Sequence, residues 1–156
     1  MIIQPARSAA HFEIAKELFR QYAAELDVDL CFQGFAGELE SLPAMYGEPD
    51  GELLLAAGDN DAIGCVGLRR FSATDAEMKR LFVRPGHRDS GVGRVLAQRI
   101  TERAREMGYR RMLLDTLDSM GAAKTLYRSL GFEPCTAYYD NPLPNALYFS
   151  KNLVST

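Results

Sequence analysis

A chain of 156 residues with 47% apolar content and no long polar tract is sized for one globular domain around a single core, over residues 1–156. No run approaches the ~18 consecutive apolar residues of a membrane span and no basic-then-apolar leader opens the chain, so a cytoplasmic protein without a membrane partner is expected. Net charge is only −3, and three cysteines without C-x-x-C spacing (Cys31, Cys65, Cys135) beside two histidines argue against a zinc cluster and for reduced, structural thiols.

The charge is unevenly spread. Glu13 to Asp61 holds 12 acids against 2 bases, a balance of −10, whereas Arg69 to Arg128 holds 14 bases against 7 acids, a balance of +7. A basic half suits a polyanionic cofactor and an acidic half attracts a cationic amine; the plainer reading is solvated faces of amphipathic helices. Much of the basic content sits at helical spacing among apolar residues, without interleaved aromatics or a reader motif, which argues against a nucleic-acid partner.

In chain order, Ile2 to Ala6 reads as a short strand. Ser8 offers an N-cap, and Ala15, Leu18, Phe19, Tyr22 and Leu26 recur at helical spacing, predicting a first helix to about Asp27. A short helix over Phe35 to Leu42 is expected to stop at Pro43, followed by a loop through Gly47, Pro49 and Gly51. Leu53 to Ala57 and Ala62 to Phe71 are apolar segments around Gly58-Asp59-Asn60-Asp61, a hairpin turn, and a fourth strand over about Ala76 to Val83 pairs next.

Val92, Leu96, Ile100, Ala104 and Met107 form one stripe of a third helix that Gly108 ends. Arg111 to Thr116 reads as a buried strand. Asp118 or Ser119 is expected to cap a fourth helix bearing Ala123, Leu126, Tyr127 and Leu130, with Gly131 at its end. Phe132 to Tyr139 and Ala146 to Lys151 then close the sheet around the loop Asn141-Pro142-Leu143-Pro144. Strands alternating with helices, with hairpins at both ends, give a mixed α/β sheet covered on both faces.

Between the fourth strand and the third helix lies Arg88-Asp89-Ser90-Gly91-Val92-Gly93. Its glycines let the backbone turn sharply and come close to a ligand, and the first free amides of the helix point from its positive end, which makes an anion cradle. Gly86 to Gly91 has the spacing of a nucleotide P-loop, but Val92 and Gly93 stand where the lysine and hydroxyl should be. The dinucleotide fingerprint begins correctly at Gly91 and Gly93, then meets Leu96 where a small residue is needed.

The pattern that fits is Q/R-x-x-G-x-G/A, and here the chain resembles the Gcn5-related N-acetyltransferase family. Glu77 to Pro85 resembles that family's fourth strand, and Leu126-Tyr127-Arg128-Ser129-Leu130-Gly131-Phe132 its L-Y-x-x-x-G-F signature; the order of elements extends the resemblance over essentially the whole chain. It implies a mostly antiparallel central sheet of about seven strands with helices on both faces, splayed between the fourth and fifth strands. It also implies acetyl-CoA as the acyl donor and a small-molecule or peptide amine as acceptor, joined by direct attack without a metal.

Such a transfer needs a held thioester, a deprotonated amine, oxyanion donors and a protonated leaving thiolate. Holding falls to the amides from Arg88 through Asp89, Ser90, Gly91, Val92 and Gly93 to Arg94, with the Arg88 guanidinium available to phosphate; the resemblance implies that the backbone of Leu81, Phe82 and Val83 pairs with the pantetheine arm. Glu77, in the fourth strand, is the expected general base; pairing with Lys79 or Arg69 is its structural alternative, and Asp115 or an acid of the N-terminal region could serve instead. Tyr127 matches the family tyrosine that approaches the sulfur, although an aromatic at helical spacing ordinarily belongs to the core. Asp89 and Met120 depart from the family pattern, where a second loop glycine and an asparagine are frequent. Two rivals share the scaffold: a non-catalytic acyl-CoA sensor, and an acyltransferase with a different donor. A sheet edge or exposed aromatics would offer a route to a homodimer.

Overall fold

The computed structural model describes residues 1–26, 30, 34–59 and 61–154. The predicted helix end at Asp27, Cys31, and Asn60 of the hairpin turn lie outside them. β1 (Ile2–Pro5) leads into α1 (Ala9–Leu26), where the Ser8 hydroxyl accepts the His11 amide at 3.1 Å and so caps the helix as expected. Two short helices follow, α2 (Phe35–Glu40) and α3 (Leu42–Tyr46). Pro43 therefore does not stop a helix but sits in the first turn of one, where its missing N–H costs nothing and its fixed φ is already helical.

β2 (Glu52–Ala57), β3 (Ala62–Arg70) and β4 (Asp75–Val83) form an antiparallel meander. α4 (Val92–Glu106) then returns the chain to β5 (Arg111–Leu117), which runs parallel to β4. Next come α5 (Gly121–Ser129), β6 (Glu133–Pro134) and β7 (Ala146–Asn152), and the seven-stranded sheet has the order β1-β2-β3-β4-β5-β7-β6. Gly108 and Gly131 end α4 and α5 in the left-handed conformation, at φ 93° and 92°. Neither Asp118 nor Ser119 caps α5: Met120 takes that place without a side-chain bond, because the Asp118 carboxylate accepts Lys124 Nζ at 2.7 Å instead. The expected strand over Phe132 to Tyr139 shrinks to Glu133–Pro134; Pro134 offers no ladder amide, and beyond one bond from the Cys135 amide to the Tyr148 carbonyl the segment leaves the sheet.

Strand alternation sorts the core into two layers. Leu54, Ala56, Leu68, Met78, Met112 and Leu114 face Leu96 and Ile100 of α4, while Leu53, Leu55, Cys65 and Phe82 face Leu18 and Phe19 of α1 and Tyr46 of α3. Gly67 makes this second layer possible: a Cβ there would lie 2.7 Å from the Tyr46 ring, so the tyrosine packs on bare backbone.

The feature that positions the site is a wedge. β4 and β5 pair only at Asp75–Arg111, Ala76–Met112 and Glu77–Leu113, although β4 stays paired with β3 as far as Val83 and β5 with β7 as far as Leu117. Arg80 lies at φ 62° where β4 carries one more residue than β3, between the pairs Gly67–Lys79 and Cys65–Phe82. Such a bulge bends its strand and increases the local twist, which turns the far end of β4 away from β5.

Candidate active site

At the open end of β4, Pro85–His87 makes a single 3-10 turn, Asp89 adopts φ 64° and Gly91, at φ 87°, caps α4. A Cβ at Gly91 would meet nothing within 4 Å, so glycine is required there by backbone angle and not by crowding. Among the described residues, no amide from Arg88 to Arg94 donates to a backbone carbonyl; the first such bond runs from Val95 to the Gly91 carbonyl. These amides lie at the positive end of a fifteen-residue helix, in a largely exposed stretch of chain. Asp89 is exposed.

The predicted side chains take up different positions around this loop. Arg88 donates from Nε to the Val83 carbonyl at 2.9 Å, lies 5.7 Å from the Phe82 ring centre and pairs with Glu25 of α1 at 2.6 Å, so its charge is already shared. Ser90 donates its hydroxyl to the His87 carbonyl, tightening the turn. Arg94 donates to Ser129 Oγ at 2.9 Å and ties α4 to α5. Val92 and Phe82 are buried, in the α4 layer and the α1 layer, whereas Leu81 and Val83 pack at the edge of the α4 layer. These strand residues can reach a ligand in the wedge through their backbone.

Within the wedge is a narrow cavity of about 50 Å³ lined by Tyr22, Leu81, Asp115, Thr116, Met120, Ala123 and Tyr127 and by Met78, Lys79 and Arg80 of β4. Tyr127 is 7% exposed, and its ring packs against Phe132 and Phe149 at 5.9 and 6.3 Å. Its hydroxyl makes no hydrogen bond to the protein among the described residues, yet it is not sealed from solvent. Burial pushes its pKa up, so the phenol stays protonated and is poised as a donor. Met120 accepts the Thr116 hydroxyl at 3.6 Å, so a thioether occupies the position where an asparagine is frequent in the resembling family.

Glu77 is 1% exposed and both its oxygens are engaged. Oε1 accepts Arg69 Nε at 2.8 Å and lies 4.0 Å from Lys79 Nζ, and Oε2 accepts the Tyr138 hydroxyl at 2.6 Å. It does not line the cavity. Asp115, on β5, does; its Oδ2 accepts the Tyr139 hydroxyl and Asn141 Nδ2. Burial lowers the Lys79 pKa against the pull of Glu77.

Beside the wedge, Arg80 forms a buried two-point pair with Glu38 of α2, at 2.9 Å for each bond, with both side chains 2% exposed. The Tyr46 hydroxyl donates to the same carboxylate, and the rings of Tyr22 and Phe35 lie 5.5 and 5.3 Å from the guanidinium. Burial alone would raise the Glu38 pKa, but Arg80 outweighs it and holds the carboxyl below its usual value. Sequence reading singles out neither Arg80 nor Tyr22 nor Glu38 individually as a site residue. The loop from Tyr138 onward carries no periodicity, and only its tandem tyrosines before Asn141-Pro142 set it apart.

The comparison with known proteins agrees with this geometry. Residues 12–132 match the model of the acetyltransferase (GNAT) family. An uncharacterized N-acetyltransferase of Schizosaccharomyces pombe is 40% identical over 135 residues, covering 85% of this chain and 83% of its own. Among solved structures, a GNAT-family acetyltransferase of Staphylococcus aureus superposes with a TM-score of 0.80 at 20% identity, covering 98% of this chain and 100% of its own. A GNAT acetyltransferase of Elizabethkingia anophelis, crystallised with acetyl-CoA, superposes at 0.70 and 21% identity, covering 97% of each chain. The match over residues 12–132 and the 40% identity to the Schizosaccharomyces pombe relative show that the chain is a member of the GNAT acetyltransferase family.

Proposed function

We infer that the chain transfers an acetyl group from acetyl-CoA to the nitrogen of a primary amine, in a small molecule or a peptide, by direct attack. The observation that carries this reading is the wedge: a glycine-capped helix start lies at one end and a protonated tyrosine hydroxyl within, and neither its amides nor that hydroxyl has a hydrogen-bond acceptor among the described residues. Acetyl-CoA fits these residues and supplies an activated acyl carbon with a thiol leaving group. The amides from Arg88 to Arg94 hold its diphosphate, and Arg88 exchanges Glu25 for phosphate. The edge of β4 that β5 leaves unpaired, along Leu81, Phe82 and Val83, orients the pantetheine arm. Orientation of this kind is worth up to ~7–11 kcal/mol of barrier.

Tyr127 gives its proton from Oη to the leaving sulfur, and a wedge carboxylate relieves the ammonium of its proton. Glu77 is the candidate by strand position and Asp115 by access to the cavity. Cys65 is unsuited to carry the acyl group, because it is fully buried and burial pushes its thiol pKa up, away from the thiolate. Among the described residues no helix is long and apolar enough to cross a membrane.

The test is thiol release from acetyl-CoA against a panel of polyamines, amino acids, aminoglycosides and short peptides, with acetylated product identified by mass. Thiol release matched by acetylated amine supports transfer. Binding of acetyl-CoA without transfer to any amine marks a sensor, and transfer only from longer or acidic thioesters marks a different donor.

A further inference from the structure

The two wedge carboxylates are held in opposite ways. Glu77 is surrounded by charge and has both oxygens occupied by Arg69, Lys79 and Tyr138. Among the described residues Asp115 accepts hydrogen bonds from two neutral donors, the Tyr139 hydroxyl and Asn141 Nδ2, both on Oδ2, while Lys79 acts on it through charge from across the same cavity. Asn141 Nδ2 also lies 2.9 Å from the Tyr139 hydroxyl, and Asn141 Oδ1 accepts the Leu143 amide, so the three groups form one braced cluster. Oδ1 of Asp115 accepts no hydrogen bond among the described residues and is not sealed off. It belongs to the side chain that lines the same cavity as Tyr127.

The geometry points to Asp115, not Glu77, as the group that meets the acceptor ammonium and takes its proton, with Tyr139 and Asn141 as positioning residues that fix Oδ2 so that Oδ1 is presented to the cavity. This inference rests on the amine-acetylation reading above. The ammonium gives one proton to Oδ1, and the freed lone pair forms the N–C bond as the C–S bond breaks. The leaving sulfur takes the Tyr127 proton. The second nitrogen proton, lost as the amide forms, restores Tyr127 through water, and Asp115 discharges its own to solvent, so the turnover releases one proton overall. Lys79 acts on Asp115 through charge but no hydrogen bond reaches Oδ1 among the described residues, so that oxygen is open to an incoming ammonium, whereas both Glu77 oxygens are taken and one is directly paired with Arg69. The titratable and charged groups facing Asp115 are Lys79 and Arg80 from β4, Tyr22 from α1, Tyr127 from α5, Tyr138 and Tyr139 from the preceding loop, and Tyr148 from β7.

The experiment compares Asp115→Asn, Glu77→Gln and Tyr139→Phe in the full chain, using the most reactive amine of the panel. Turnover across pH is one readout; calorimetric binding of that amine without acetyl-CoA, and of acetyl-CoA alone, are the others. Asp115→Asn is expected to lower turnover about 10²–10⁴-fold, with residual activity that climbs about tenfold per pH unit toward the amine's own pKa where wild type has levelled off. It should also weaken amine binding about tenfold or more while acetyl-CoA affinity stays within about twofold, which shows that the variant is folded. Tyr139→Phe should move turnover and amine affinity in the same direction by a smaller factor. Retained turnover and amine affinity in Asp115→Asn, or the same pH signature appearing in Glu77→Gln instead, overturns the assignment alone. A wild-type protein that binds acetyl-CoA and acetylates no amine overturns the transfer reading and the assignment with it.

Discussion

Tyr127 carries its role through contrast with its surroundings. Phe132 and Phe149 hold the ring, burial keeps the phenol neutral, and nothing in the described protein competes for the hydroxyl. Tyr127→Phe is therefore expected to keep the packing and acetyl-CoA affinity while turnover falls about 10²-fold or more, checked by steady-state rates beside calorimetric binding; unchanged turnover removes Tyr127 from the chemistry. Glu25 provides a second residue-scale test, because it occupies the Arg88 guanidinium that the diphosphate needs. Both side chains are about half exposed, so the competition is weak, and Glu25→Gln should tighten acetyl-CoA by only about two- to fivefold in a calorimetric titration at low salt.

At the scale of elements, the loop before α4 and the bulge in β4 do the positioning. Gly91→Val places a β-branched residue at φ 87°, a conformation costing about 1–3 kcal/mol, so the loop should refold locally and acetyl-CoA binding should be lost while the thermal midpoint falls only modestly. Gly86→Ala in the same loop, where a Cβ meets open space and φ is not positive, should bind normally. The bulge is anchored by the buried Arg80–Glu38 pair, and Glu38→Gln, which leaves the guanidinium without its charge partner, should cost about 3–5 kcal/mol in urea unfolding at neutral pH. Since the Glu38 pKa is lowered in the fold, its stabilisation is present above the ordinary carboxylate value near ~4.3 and fades as pH falls through the lower folded value. Wild-type stability should therefore drop over that acid window more steeply than that of Glu38→Gln.

Across the whole molecule, what the sequence made legible was local. The stripe from Val92 to Met107, the Ser8 cap, the glycine loop and the L-Y-x-x-x-G-F run are each written within about one element, and they give the order of strands and helices apart from α3. What it concealed depends on contacts between distant residues. Glu77 meets Tyr138 across 61 positions and Arg80 meets Glu38 across 42, so neither the enclosure of Glu77 nor the anchoring of α2 has a spacing to read. Pro43 and Pro134 show the same limit: whether proline opens a helix, stops one or trims a strand depends on where its neighbours' amides go. The pieces act together only if the diphosphate lies on the α4 start while the thioester reaches the wedge beside Asp115 and Tyr127. The most direct measurement is an amide NMR titration of the full chain with acetyl-CoA. The largest shifts are expected at Arg88 to Arg94, followed by the β4 residues Met78 to Val83; absence of any shift, or shifts centred on the surface groove formed by Arg99, Arg105 and Lys151, would contradict the account.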